Sequence, residues 1–383
     1  MDNSLNKKRI GWVDRAKAYG ILLVFWGHFV ERVYFAGNQA AFFQYKAIYS
    51  FHMPLFFILA GFFAKEKRAC WWRFLKKESL TRLVPVLFFG LLAVPFFMLK
   101  NFLRLGRIGR KDLIARALSY LLGQPYFNWV TWFLVCLFMV ELVHYFLGEH
   151  IGKGKRLFVA IPAFYLIGWI VIRKIDFIVR LTGIGENFWF IHEALTAYSF
   201  YLFGFLLHSL NYLSLEIKNS YRLSLLLLFL CILLFTFNLN QGPFAPYYPV
   251  VMMAQSWHGD ILYFPLAALA GSFFIFYLSQ LTPDCKLISY IAENTLILLG
   301  LNGLFLDFFN GRILNFWTLH LFTIPDNIPS VLIFCFMVSF ISLLLCLPLI
   351  WTFNKYFPQL VGKPAGSTKQ VLTPNIANPL SSN

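Results

Sequence analysis

The chain has 383 residues, of which 59% are hydrophobic, 20% aromatic and only 13% charged, and its formal net charge is +16. Soluble domains average about 45–50% apolar and roughly 25% charged residues, which excludes an ordinary soluble enzyme. The 24 Gly and 17 Pro follow no period, which excludes a collagen-like or low-complexity chain and leaves a polytopic membrane protein.

Ten apolar runs are long enough to cross a bilayer, for which a helix needs about 20 residues. They fall at 18–34, 47–64, 83–99, 129–147, 157–172, 190–209, 223–239, 261–279, 289–307 and 329–351. Without period-two alternation they predict an all-α integral membrane protein of about ten transmembrane helices. The weakest run is 289–307, interrupted by Glu293, Asn294, Asn302 and Asp307. Lys7, Lys8 and Arg9 precede the first run, but His28 lies inside it and no small-residue cleavage site follows. It reads as a retained anchor rather than a signal peptide.

Lys and Arg counts set the orientation. With both termini cytoplasmic, 21 basic residues fall inside and 12 outside, six of the latter between Lys100 and Arg116. In that segment Arg104, Arg107, Arg110 and Lys111 alternate with Phe102, Leu105, Ile108, Leu113 and Ile114, as in an amphipathic helix lying at the membrane surface. The alternative is a different topology at this point. Residues 1–353 are expected to form one membrane domain in the cell membrane (plasma or bacterial inner). Residues 354–383, polar and Pro-containing, are expected to form a flexible cytoplasmic tail. The six cysteines have no paired spacing, so neither a disulfide framework nor a metal site is expected.

Ionisable side chains within apolar runs are costly and tend to be functional. Lys17 and His28 are eleven residues apart, about 20° of helical rotation, and so share a face with His28 roughly 16 Å deeper. Imidazole is the usual general base near neutral pH, although a lone intramembrane His is as often a bonded packing residue. His52 shifts that balance, because it falls at a similar depth on the next, antiparallel run. Pro54 is expected to kink this run and free the carbonyl of Ser50 beside His52. The segment 65–82 then carries seven basic residues, with Trp71 and Trp72 among them. Most of that is the ordinary inner-surface signal, but Arg82 enters the third run where it could meet a phosphate.

Asp14-x-x-Lys17 followed by Gly27-His28, then Phe51-His52-Met53-Pro54-Leu55-Phe56-Phe57, then Arg82-x-x-Pro85, resemble the membrane acyltransferase 3 family. Its fucose 4-O-acetylase-like branch is the nearest match. Trp132-Phe133-Leu134 and Glu293-Asn294-Thr295-Leu296 are similar to later landmarks of that branch. The resemblance implies some ten spans and acyl transfer from cytoplasmic acyl-CoA, acetyl by default, to a hydroxyl of a cell-surface or lipid-linked sugar. It makes His28 the expected catalytic residue and matches His52 to the second-span histidine. The chain departs from the family pattern with Lys17 in place of Arg, with Glu78 where a basic residue is common, and with Asn302 where His is frequent.

In this reading His28 acts as general base or transient acyl carrier, and His52, Trp132 and Asn302 contact the oxyanion or the acceptor. Lys17, Arg73, Lys76 and Arg82 would hold the CoA phosphates. No permanently bound cofactor is expected. The partners are the lipid bilayer, acyl-CoA and a sugar or polysaccharide acceptor. Nucleic acid is not among them, since the positive charge follows the inner loops. The outer loop 241–249 is aromatic and uncharged, which suits sugar rings or a membrane interface. His192-Glu193 lacks the second His of a zinc-protease motif, and phosphate-loop and serine-hydrolase motifs are absent. The alternative function is a transporter or flippase of a sugar-containing substrate, which would call for related halves that the sequence does not display.

Overall fold

A computed structural model describes residues 10–64, 70–106, 109–151, 154–182, 185, 187–212, 217–320, 324 and 326–363. The chain opens with α1 (Gly11–Phe35), α2 (Ala41–Tyr49) and α3 (His52–Phe62), then α4 (Trp71–Glu78), α5 (Val84–Leu105) and α6 (Arg110–Ser119). It continues with α7 (Trp132–Ile151), α8 (Lys155–Arg173), α9 (Ile175–Thr182), α10 (Ile191–Ser209), α11 (Asn219–Leu239) and α12 (Tyr263–Leu281). The last five are α13 (Lys286–Glu293), α14 (Thr295–Leu304), α15 (Asn310–His320), α16 (Ile328–Leu345) and α17 (Leu347–Tyr356). Among the described residues no strand forms beyond a single antiparallel bridge, Met252 to Trp257. The all-α expectation holds.

Among the described residues eight helical stretches are long and apolar enough to cross a membrane, and they coincide with the last eight predicted runs. The first two runs fall on α1, which carries Asp14, Arg15, Lys17, Glu31 and Arg32, and on α2 with α3. The polar content of α1 is explained by its place. It packs against α2, α3, α12, α13, α14 and α16 at the centre of the bundle, with Ile21, Val24, Phe29 and Val30 buried. The peripheral helices turn large apolar side chains outward instead, such as Leu91 on α5, Val159 on α8, Phe235 on α11 and Ile333 on α16. That is the pattern lipid selects.

Lipid provides no hydrophobic drive between helices, so close backbone approach must hold them. α3 and α10 meet through reciprocal glycines. A Cβ on Gly61 would lie 1.8 Å from the carbonyl oxygen of Tyr201, and one on Gly204 would lie 1.9 Å from that of Ile58. This contact fixes α3, the helix that begins with His52.

Three local expectations are corrected. Pro54 does not kink a continuous helix. The helix breaks at Ser50–Phe51, and Pro54 sits in the first turn of α3, where its missing N–H has no partner to lose. The acceptor that His52 bonds is the carbonyl of Ile48, which also accepts from the amide of Phe51, rather than that of Ser50. The 100–116 segment is not one amphipathic helix, because Gly106 (φ 65°) caps α5 and α6 starts afresh at Arg110. Lys100 donates to the carbonyl of Asp307 and Arg116 to that of Tyr126, so two of its cations bind protein. Arg107 and Ile108 lie outside the described residues.

The stretch expected to be a tail from 354 is anchored through its first ten residues. Val361 is buried, and Lys363 donates to Asn294 Oδ1 at 2.9 Å. Residues 364–383 lie outside the described residues.

Two π-helical stretches interrupt long helices, Ser79–Leu83 before α5 and Phe305–Phe309 after α14. Each widens the turn around a charged residue, Arg82 in the first and Asp307 in the second, and such turns recur at functional sites.

Candidate active site

Two cavities lie end to end along the bundle. The larger, about 830 Å³, is lined by Lys17 and Ile21 of α1, Phe56 to Phe63 of α3, Phe133 to Glu149 along α7, and Thr295 and Leu296 of α14. The smaller, about 220 Å³, is lined by Val24 to Arg32 of α1, His52 of α3, Trp132 of α7, and Leu306 and Asp307 beyond α14. On each of these helices the lining passes from one cavity to the other. Met53 and Leu299 line both and form the partition between them.

The smaller cavity holds the imidazoles. His28 Nδ1 donates to Asn302 Oδ1 at 2.5 Å, and His52 Nδ1 donates to the carbonyl of Ile48 at 2.8 Å. Both bonds place the ring proton on Nδ1 and leave an Nε2 lone pair for proton abstraction. Tyr49 stands between them, with ring centroids 6.3 Å from His28 and 4.9 Å from His52. Its hydroxyl donates to Glu31 Oε2 at 2.5 Å. Arg32 Nη2 donates to the carbonyl of Leu306 at 2.9 Å, tying α1 to the widened turn that carries Asp307. Tyr248, from the loop before α12, lines the same space. Burial, reinforced by the Glu31 carboxylate, pushes its hydroxyl above the usual phenol range, so it stays a hydrogen-bond donor.

Asn302 was expected to touch substrate. It is fully buried, lines neither cavity and holds His28 instead. Trp132 does line the smaller cavity, close to both histidines in the fold.

The larger cavity gathers the cations. Lys17, Arg73, Lys77 and Arg82 line it, whereas Lys76 is exposed and does not. Lys17 lies 4.9 Å from the ring centre of Phe63 and 3.8 Å from Asp14. Arg82 is held on two sides by Glu141, through Nε to Oε2 at 3.1 Å and Nη2 to Oε1 at 2.7 Å, with Glu78 at 3.8 Å. Lys77 pairs with Glu78. Arg82 therefore lines the cavity as a charge-paired guanidinium. At the rim Phe74 stacks on Tyr145, with centroids 4.5 Å apart. Lys65, Lys67 and Arg68 of the predicted basic segment lie outside the described residues.

Sequence reasoning missed Glu31, Arg32, Tyr49 and Glu141. Glu31 and Arg32 follow His28 by three and four residues, the spacing of one helix face, and Glu141 is an acid inside an apolar run. Those signals were present.

The family profile described as an acyltransferase domain matches residues 10–351. The chain belongs to the acyltransferase 3 family. No curated protein and no solved structure matches it significantly. As an acyltransferase 3 protein with eight apolar membrane-length helices among its described residues, it is a multi-pass membrane protein of an acyl-transfer family. The matched range contains every residue of both cavities named above.

Proposed function

We propose that this acyltransferase carries an acyl group, acetyl in the simplest case, from cytoplasmic acyl-CoA to a sugar hydroxyl presented from the outer side. The carrying observation is the segregation of charge and base along α1, with Lys17 in the larger cavity and His28 in the smaller. A cytosolic polyanion suits a chamber with Lys17, Arg73 and Lys77 on its wall, and about 830 Å³ admits a thioester arm. The smaller chamber, with tryptophan, tyrosine and carboxylate on its wall, suits a polyhydroxylated acceptor.

The chemistry follows from the lone pairs. His28 Nε2 takes the proton from the acceptor hydroxyl as its oxygen attacks the thioester carbonyl. The tetrahedral oxyanion then collapses, the C–S bond breaks, and the departing thiolate receives the proton. General-base assistance of this kind contributes about 10²–10⁴-fold. His52 and Trp132 stand ready to contact the oxyanion or the acceptor, while Asn302 sets the tautomer of His28. In this reading ten helices cross the membrane, with α1 and the α2–α3 pair joining the eight apolar ones. Both termini are then cytoplasmic, and the protein falls within the fucose 4-O-acetylase-like branch of its family.

The test is acetyl transfer by purified protein in nanodiscs, with wild type beside His28→Ala. The variant is expected to insert normally and lose transfer, and more than about a tenth of wild-type turnover would exclude the base role. Mass spectrometry of surface glycans from cells with and without the protein would identify the acceptor. Transfer in neither assay would favour a transport role.

A further inference from the structure

A third cavity, about 150 Å³, lies beside the smaller chamber. Its wall includes Trp169 and Arg173 of α8, His192 of α10, and Gln255 and Trp257 of the loop before α12. Gln255 also lines the chamber of His28, so the two spaces share one turn as their common wall.

That turn is rigidly built. Met252 and Trp257 exchange backbone hydrogen bonds at 2.7 and 3.1 Å. Asn240 donates to the carbonyl of His258 at 2.9 Å and accepts from the amide of Asp260 at 2.9 Å. His258 Nε2 donates to the Glu193 carboxylate at 2.9 Å, and both residues are almost fully buried. The indole of Trp169 is not so provided for. Its Nε1 is buried and, among the described residues, has no hydrogen-bond partner. A buried donor left unpaired is costly, so a ligand acceptor at this place is the natural complement. Arg173 lies 5.1 Å from the centre of the same ring and adds further donors at the cavity rim.

An indole surface beside the exposed Arg173 guanidinium, in a space for one ring rather than a chain, matches a pyranose with its apolar face and its hydroxyl oxygens. Resting on the reading of the acceptor as a sugar, we infer that this cavity is a second subsite, which binds the sugar next to the one being acylated. The acceptor is then an oligosaccharide or polysaccharide, and a lone monosaccharide is a poor substrate.

The test uses the full-length protein in nanodiscs, labelled acetyl-CoA, and a panel of methyl glycosides with the matching disaccharides. The disaccharide is expected to exceed its matched monosaccharide by about tenfold or more in kcat/KM, equivalent to 1.36 kcal/mol of transition-state stabilisation. Trp257→Ala should erase that preference and leave the monosaccharide rate unchanged. Trp169→Phe, which keeps a ring and removes only the N–H, and Arg173→Ala, at an exposed site, should each reduce it without a loss of folded protein. Equal use of mono- and disaccharides, or variants that lower both rates together, would overturn the subsite alone. Acetylation of no sugar in the panel would overturn the sugar reading and the subsite with it.

Discussion

His28 and Asn302, 274 positions apart in the chain, are joined by a hydrogen bond of 2.5 Å from imidazole Nδ1 to amide Oδ1. This bond leaves Nε2 as the unprotonated nitrogen of the imidazole, and it couples α1 to α14. Asn302 thus acts through His28, without a place on the cavity wall.

Asn302→Leu should therefore lower kcat by roughly ten- to a hundredfold, from the loss of about 1–3 kcal/mol of a buried hydrogen bond. KM for acyl-CoA should stay within about twofold, because Asn302 is remote from the cations. Asn302→Asp, which keeps an acceptor oxygen, should retain more activity than the leucine variant. A rise in KM at unchanged kcat would show that Asn302 serves the donor instead.

Arg82 and Glu141 call for paired substitutions. Removing one partner of a largely buried pair leaves an uncompensated charge and costs up to about 3–5 kcal/mol. Arg82→Met alone should reduce the thermal stability of the solubilised protein and weaken acyl-CoA binding. Arg82→Met with Glu141→Leu should restore stability while KM for acyl-CoA stays raised. If the double variant recovers both, Arg82 is a packing element and the CoA phosphates rest on Lys17, Arg73 and Lys77.

Gly61→Ala probes the α3–α10 contact. Its Cβ would meet a backbone carbonyl at 1.8 Å, which no side-chain rotation relieves. The helices must part, at the cost of about 1–3 kcal/mol typical of overpacking, and His52 moves with α3. The expected result is a lower melting temperature and reduced transfer together. An unchanged melting temperature in detergent would mean that α3 and α10 are not held this closely.

The proposed route also fixes the sides of the membrane. A membrane-impermeant thiol reagent applied to intact cells should spare Cys70 and Cys285, both exposed on the protein surface. It should label a cysteine placed at Tyr247, which is 90% exposed, whereas Ala245 in the same loop is buried and would make a poor reporter. Labelling of Cys70 from outside would invert the protein and remove the path for CoA.

The parts of the site legible in the sequence were those that contrast with lipid. His28 and His52 stood out because an imidazole in an apolar run has few innocent explanations, and both line one cavity. What the sequence withheld depends on partners far along the chain. The role of Asn302 depends on α1, and the charge pairing of Arg82 depends on an acid 59 residues away. Choosing Lys77 over Lys76 requires the rotational phase of α4, which adjacent basic residues do not reveal. The break between α2 and α3 was half visible, since Pro54 marked the region but its position in a first turn was not readable from spacing. The end of α5 at Gly106 shows the same limit, because a run of alternating charges continues past the glycine that stops the helix.

The partition formed by Met53 and Leu299 has a bearing on the energetics of the host membrane. A continuous wet bore through the bundle would short-circuit any ion gradient, whatever chemistry it served. An apolar barrier shared by two blind chambers keeps hydrated ions out, because neither side chain offers an oxygen to replace lost water. An acyl group carries no charge and needs no such replacement. Methionine, unbranched and easily rearranged, makes the barrier yielding to a small carbonyl fragment and increasingly resistant as its hydrocarbon chain grows. If acyl transfer follows the proposed route, the same two side chains serve as electrical insulation and as a gauge of acyl length.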